Sequence, residues 1–361
     1  MIRDINNSEY LPYSPTPGLP EMRNLWKEKI ISDNPKINKE HLSLPMVTTG
    51  ITQGIDIAAN LFSSEGDALL LPSLFWQNYA QIYSIKIGNK VYTYNQFNEN
   101  NTYYLENFKE VLYSIKERKI SLILNFPNNP TGYTPSTEEL DELTIIIDRF
   151  AKENPEKQVI IVCDDAYFGL FFEENHKTPS LSSIYKLETN SNCLIVKLDG
   201  ITKEYYGWGL RIGFITYYTG NDNLREHLLE KTQGYLRSTT SSPCNLSQQI
   251  AIRLLKDKDT YIEKKDNDKI IHERYIILKK SLDDYKLSDS VTILPFNSGY
   301  FFTIKMPSKI NAHDFRLKFL HDYKYGVYSM DNEHIRIAFS CLDKELIPDL
   351  VKNFKLCLNE F

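Results

Sequence analysis

"LDGITKEYYGWGLRIGF", Leu198 to Phe214, is the stretch on which the reading of the whole chain turns. The run that leads into it, "CLIVKLDG", is apolar and of strand length. Lys203 then stands where a turn normally carries Gly, Asn or Ser. Eight positions later Arg211 sits between Gly209-Leu210 and a second apolar run, "IGFITYY". Two cations at the edges of one core call for a shared anion, because a charge taken out of water is costly unless paired.

Further runs of the same kind lie upstream. "DALLLP", "SLILNF" and "QVIIVCDD" read as buried strands alongside "NCLIVKLDG". Between them come helical patterns: Met22 to Ile31, "TQGIDIAANLF", and "STEELDELTIIIDRFAKE", the last opened by Ser136 or Thr137 with Glu139 nearby as a capping pattern. Strands alternating with helices predict an α/β fold, a three-layer large domain around a mostly parallel sheet. A charged helical stretch, Asp257 to Leu287, leads into a smaller α+β domain with strands at Gly299–Lys305 and His334–Phe339 and a closing helix. The expected division is residues 1–45 as an N-terminal segment packing with the small domain, 46–265 as the large ligand-binding domain, and 266–361 as the small C-terminal domain.

Composition removes several functions. With 361 residues the chain can bury a sizeable core, and its net charge of −5 has no basic block, which argues against nucleic acid as a partner. No apolar run reaches the roughly 18–20 residues that span a bilayer. The five cysteines are scattered and lack CxxC spacing, so neither a disulfide framework nor a metal site is expected, and the cytoplasm is the expected compartment.

In open α/β sheets ligands gather at the carboxyl ends of the parallel strands. "PNNPTG" follows one strand, "DDAYFG" the next and "DGITK" the third. Asp164 and Asp165 end an apolar strand; one could be a helix cap, the other a carboxylate that holds a proton on a ligand's ring nitrogen, with Tyr167 as a phenol donor. Asn129 is either part of a plain turn or an amide donor to an anionic oxygen. "TTGITQGIDIAANLF" starts a helix at Gly50, Ile51 and Thr52, where backbone N–H groups and the helix dipole suit an anion, although ordinary capping explains it as well. Trp76 in "LPSLFWQNY" could cover a planar ligand or simply fill core.

Read in order, "TTGITQGIDIAA", "FWQNY", "NFPNNPTGY", "CDDAYFG", "TKEYYGWGLRIGF" and "HIRIAFS" resemble the class I/II aminotransferases, the fold type I enzymes that depend on pyridoxal 5′-phosphate. "YLPYSPTPGLPEMR" is similar to a Tyr-Gly-Leu-Arg segment near the family's N-terminus. The resemblance implies that Lys203 forms the Schiff base with the cofactor and shuttles the proton, and that Asp164 pairs with the pyridine nitrogen. Tyr167 and Asn129 would donate to the ring hydroxyl oxygen, and Trp76 would stack on the ring. Arg211, the Gly50, Ile51 and Thr52 amides, and Thr202 would hold the phosphate. Arg336 would bind the substrate's α-carboxylate, beside Asn129 and Trp76. Tyr10 would reach the phosphate in a neighbouring subunit, which implies a homodimer with shared sites.

The implied activity is ping-pong transfer of an amino group between an L-amino acid and a 2-oxo acid. The shared motifs also leave open a β-lyase, decarboxylase or cyclase of the same fold, or a non-catalytic relative. The sequence departs from the family in three places. Gly200 stands where a phosphate-binding Ser or Thr is usual, Trp208-Gly209 replaces Pro-Gly, and the several tens of residues common before Tyr10 are expected to be missing.

Overall fold

A computed structural model of the protein describes residues 7–177 and 180–361. Seven strands form the large sheet: β1 (Met46–Thr49), β2 (Ala68–Pro72), β3 (Lys90–Tyr94), β4 (Lys119–Asn125), β5 (Gln158–Asp164), β6 (Cys193–Gly200) and β7 (Ile212–Tyr218). Their order is β1-β7-β6-β5-β4-β2-β3. The β3-β2-β4-β5-β6 block is parallel, and β7 and β1 extend it antiparallel. The sheet is thus mostly parallel, as predicted.

The apolar runs explain the block. Strands β2, β5 and β6 are buried at nearly every position, which is what a sheet covered on both faces requires. Two separate apolar clusters fill the layers, one on either side of the sheet. Helix Gly50–Phe62 buries Ile51, Ile55, Ala58 and Ala59. Helix Thr137–Glu153 begins with the capping box foreseen in the sequence: Ser136 Oγ accepts from Glu139 N, and Glu139 Oε2 accepts from Ser136 N at 2.8 Å.

A long helix, Lys258–Asp284, leads to the second unit. There β8 (Thr292–Ile293), β9 (Phe302–Lys305), β10 (Tyr328–Ser329) and β11 (His334–Ile337) form an antiparallel sheet in the order β10-β11-β9-β8. Helices Ala312–Tyr323 and Ile347–Leu358 complete this α+β unit through Phe315, Phe319 and Phe354.

One expectation needs correction. Residues 1–6 of the N-terminal segment lie outside the described residues, and the contacts of the rest run to the large unit, not the small one. Helix Pro20–Asp33 buries Met22, Trp26 and Ile30 on one face. The Trp26 ring stacks on Phe214 of β7 at 4.3 Å. Ser14 Oγ donates to the Pro243 carbonyl, and Leu19 N donates to Gln248 Oε1, both at 2.7 Å. An apolar helix face states that it packs; which surface receives it is a tertiary fact.

Candidate active site

The register of the parallel strands brings their polar ends to one line. Asn125 closes β4 directly beside Asp164 of β5, and Asp164 is paired with Leu198 of β6. The chain leaves β6 at Gly200 into a single helical turn, Ile201–Glu204, which carries Thr202 and Lys203. A cavity of about 130 Å³ opens over these ends. Ile51, Thr52, Trp76, Asn129, Asp164, Tyr167, Thr202, Lys203 and Arg211 line it, so most of the residues singled out in the sequence share one space.

Asp164 is its buried acid. Oδ2 accepts from Tyr79 Oη at 2.5 Å, Oδ1 accepts from the Ala166 amide at 3.0 Å, and the backbone carbonyl accepts from Asn125 Nδ2 at 2.9 Å. Burial outweighs these donors and the nearby Lys203 cation, pushing the carboxyl up to about 6. Lys203 Nζ lies 5.2 Å from the centre of the Tyr167 ring. Its pKa is lowered, chiefly by burial and further by Arg211, while Asp164 pulls the other way. An amine so placed is more readily neutral and nucleophilic than an exposed lysine. Burial also raises the Tyr167 and Tyr79 phenols, so both stay protonated donors.

At one end of the cavity the donors suit an anion. Gly50 begins helix Gly50–Phe62 with φ +72°, and the space beside its Cα is filled by the Arg211 guanidinium. A side chain there would collide with that cation as well as strain the backbone. Arg211 itself has φ +54°, and its Nη1 donates to the Trp208 carbonyl at 3.2 Å. Trp208 is half exposed and touches Tyr206, not the cavity. Thr202 Oγ1 is buried and has no partner among the described residues.

The small unit brings a further cation, Arg336, which is not among the lining residues but adjoins the cavity through Asn129. Arg336 on β11 donates from Nη1 to Asn129 Oδ1 at 2.9 Å, which turns the other amide atom of Asn129, its NH₂ donor, away from the arginine. The guanidinium carbon lies 4.5 Å from the Phe301 ring centre and 5.0 Å from that of Tyr328. Those rings flank the planar guanidinium. Desolvation lowers its pKa. Tyr10, in the short N-terminal turn, is not among the residues lining the cavity.

Three lining residues were not singled out from sequence, Asn125, Tyr79 and Ala166, the last of which contributes its amide to Asp164. Asn125 is the last residue of an apolar strand and so read as part of it. Tyr79 lies three residues beyond Trp76, its ring edge-on to the indole at 5.6 Å, and the spacing was the available signal.

Comparison with known proteins bears on this cavity. The family model for aminotransferase class I and II matches residues 3–354. A probable aspartate/prephenate aminotransferase of Rickettsia conorii is 27% identical over 258 residues, 70% of this chain. The match spans 58% of that relative's length. A crystal structure of an aminotransferase from Anaerococcus prevotii superposes with a TM-score of 0.85 at 22% identity, covering 99% of this chain and 85% of its own. An α-aminoadipate aminotransferase from Thermus thermophilus, solved with N-(5′-phosphopyridoxyl)-L-leucine, gives a TM-score of 0.79 at 22% identity, covering 99% and 86%. These likenesses establish the fold.

Proposed function

The chain belongs to the aminotransferase class I and II family, and we propose that it moves an amino group between an L-amino acid and a 2-oxo acid by a ping-pong cycle around Lys203. The family's cofactor is pyridoxal 5′-phosphate, and the cavity's own chemistry fits it. Thr202 Oγ1 is a buried hydroxyl without a partner among the described residues, it shares the cavity lining with Thr52 and Arg211, and Arg211 abuts the start of helix Gly50–Phe62, a donor set for a phosphate dianion. Trp76 and Tyr79 line the same space as Asp164. When bound, the cofactor supplies an aldehyde that condenses with amines and a ring that accepts the electron pair released at the substrate Cα.

The chain's residues do the rest. Lys203 Nζ, made more readily neutral by burial, would be the amine that holds the cofactor's aldehyde end and the base that would carry the proton from the substrate Cα. Asp164, kept in place by Tyr79 and Ala166, favours a protonated ring nitrogen, and a cation there would pull its own pKa down. Tyr167 and Asn129, both lining the cavity, would donate to the ring hydroxyl oxygen. Arg336 binds the α-carboxylate, which orients the Cα proton toward Lys203. The observation that carries the reading is the sharing of one buried cavity by Lys203 and Asp164, with Arg211 and a helix start at its end.

We infer a homodimer as well. In that dimer Tyr10 would reach the partner's phosphate site, and the exposed Leu11 and Tyr13 beside it, at 71% and 92%, are apolar surface that the interface would cover. The cytoplasm is inferred because no disulfide joins the five cysteines. Among the described residues no helix is long and apolar enough to cross a membrane.

The test is to load the purified protein with pyridoxal 5′-phosphate and titrate amino acids against its visible absorbance. A band that bleaches with an amino acid and returns with a 2-oxo acid is expected. Release of ammonia and pyruvate instead would reassign the chain to a lyase. Lys203→Ala should lose the borohydride-fixed adduct; an adduct that persists would sink the role of Lys203.

A further inference from the structure

The site residues have sequence neighbours that serve the opposite side of the sheet. Asp164 lines the cavity, while Asp165 forms a buried ion pair with Lys197. Lys197 also meets Asp199 at 3.2 Å, and all three side chains are buried. Helix Pro20–Asp33 closes this face. Trp26 Nε1 donates to Asp199 Oδ1 at 2.7 Å. Three residues on, Lys29 Nζ pairs with Glu204 Oε1 at 2.7 Å and with Asp33 at 2.5 Å. Residues three apart share a helix face. The Lys29 ammonium also sits 5.1 Å from the Trp26 ring and 5.3 Å from the Phe168 ring.

The two anchored carboxylates bracket the segment that presents Lys203. Asp199 stands just before Gly200, and Glu204 just after Lys203. That segment has little rigidity of its own. Its helix is a single turn, too short to be stable alone, and Tyr206 beyond it is in the left-handed region at φ +54°. From the small unit, Tyr300 Oη reaches the Lys203 carbonyl only at 3.3 Å.

We propose that helix Pro20–Asp33 is the positioning clamp of Lys203: Trp26 through Asp199 and Lys29 through Glu204 fix the turn from behind, so that the lysine is aimed into the cavity. This rests on the reading of Lys203 as the cofactor-binding lysine. Trp26 and Lys29 are positioning residues; neither lines the cavity. Glu204 is buried against Lys29, with Asp33, Lys264 and Tyr205 as the other titratable groups around it. Lys197, Asp165 and Lys29 surround Asp199. A buried carboxylate held by one cation is rigid while the pair is intact and costly once it is broken.

The experiment is a double-mutant cycle on cofactor binding to the apoprotein. Dissociation constants for pyridoxal 5′-phosphate are measured for the wild type, Lys29→Met, Lys203→Ala and the double variant, with inorganic phosphate as a competing probe of the anion end. Lys29→Met is expected to weaken cofactor binding roughly tenfold when Lys203 is present and to change nothing in the Lys203→Ala background. Phosphate affinity should stay unchanged, and Lys29→Arg, which keeps a cation, should restore binding. An equal loss in both backgrounds would mean a general structural effect and overturn the clamp, as would no loss in either. If Lys203→Ala itself keeps a covalent adduct, the reading beneath the proposal fails, and the proposal with it. Should Lys29→Met not fold, Glu204→Gln, of the same shape, carries the same cycle.

Discussion

The two sides of the strand ends are built from adjacent residues and solve opposite problems. Asp164 and Lys203 face a cavity, Asp165 and Glu204 face away from it, and one step along the chain separates the members of each pair. Behind the sheet each carboxylate has a cation partner, each cation shared by two: Lys197 by Asp165 and Asp199, Lys29 by Glu204 and Asp33, although burial still raises the pKa of Asp199 and Glu204. In the cavity they are left poised. Asp164 is pushed up, Lys203 is pushed down, and the Thr202 hydroxyl has no partner among the described residues. Satisfied polar networks make rigid walls, whereas imperfectly satisfied groups are ready to act on a ligand. The difference teaches that the reactive face borrows its stiffness from the paired one.

Breaking the paired side should have the largest effect on stability. Lys197→Met leaves Asp165 and Asp199 buried without their shared cation, and removing one partner of such a set typically costs about 3–5 kcal/mol. Urea unfolding of the apoprotein is the measurement. A loss below about 1 kcal/mol would mean that the matched charges contribute no more than surface pairs do.

The poised side should behave with the opposite sign. The folded pKa of Asp164, about 6, lies above the ordinary carboxylate value. The folded apoprotein therefore holds its proton more tightly than the unfolded chain. Its contribution to stability is full below about pH 4 and is lost as pH rises through about 6, amounting to at most about 3 kcal/mol. Asp164→Asn should flatten that decline in unfolding experiments across this window. Lys203, with its lowered pKa, contributes the reverse slope on the alkaline side. Indistinguishable acid-side slopes for wild type and variant would show that Asp164 is not poised. Cofactor binding should shrink the wild-type slope, because a protonated ring nitrogen pairs with the carboxylate.

The contrast also accounts for what could be read from sequence. Lys203, Asp164, Asn129 and Arg211 stand at the ends of apolar runs, where strand pattern and the rule for ligand placement meet, so spacing alone brought them forward. The helix start at Gly50–Thr52 was legible for another reason, the helical spacing of "TQGIDIAANLF". Tyr79 was not, because its bond to Asp164 joins residues 85 apart in the chain. The paired side left still less trace. Trp26 meets Asp199 across 173 positions, and nothing near either residue announces it. The N-terminal helix displays an apolar face without an address, so its sequence does not say that the named contacts are with the large unit. Of the small unit, the two main strands and the closing helix were legible, and the two-residue strands β8 and β10 were too short to leave a pattern.

The smallest expected effect falls at Gly200, where the two sides meet. The family's usual Ser or Thr there would add a phosphate hydroxyl, so Gly200 looks like a weakened grip when only the sequence is considered. In the fold, Gly200 is opposite Gly213 in the β6–β7 pair, and an added Cβ would lie 2.6 Å from the Ile212 carbonyl oxygen and 2.9 Å from the Gly213 Cα. Both obstacles are backbone and cannot rotate away. Gly200→Ser should therefore cost about 1–3 kcal/mol in urea unfolding, the usual range for overpacking, without tightening pyridoxal 5′-phosphate. The unpartnered Thr202 hydroxyl, two residues on, is placed to supply the missing donor, so Thr202→Val should weaken cofactor retention at little cost in stability. A Gly200→Ser protein that kept its stability and bound the cofactor more tightly would reverse this assignment. It would mean that strands β6 and β7 have slack at Gly200, and that the phosphate hydroxyl was lost there without Thr202 taking its place.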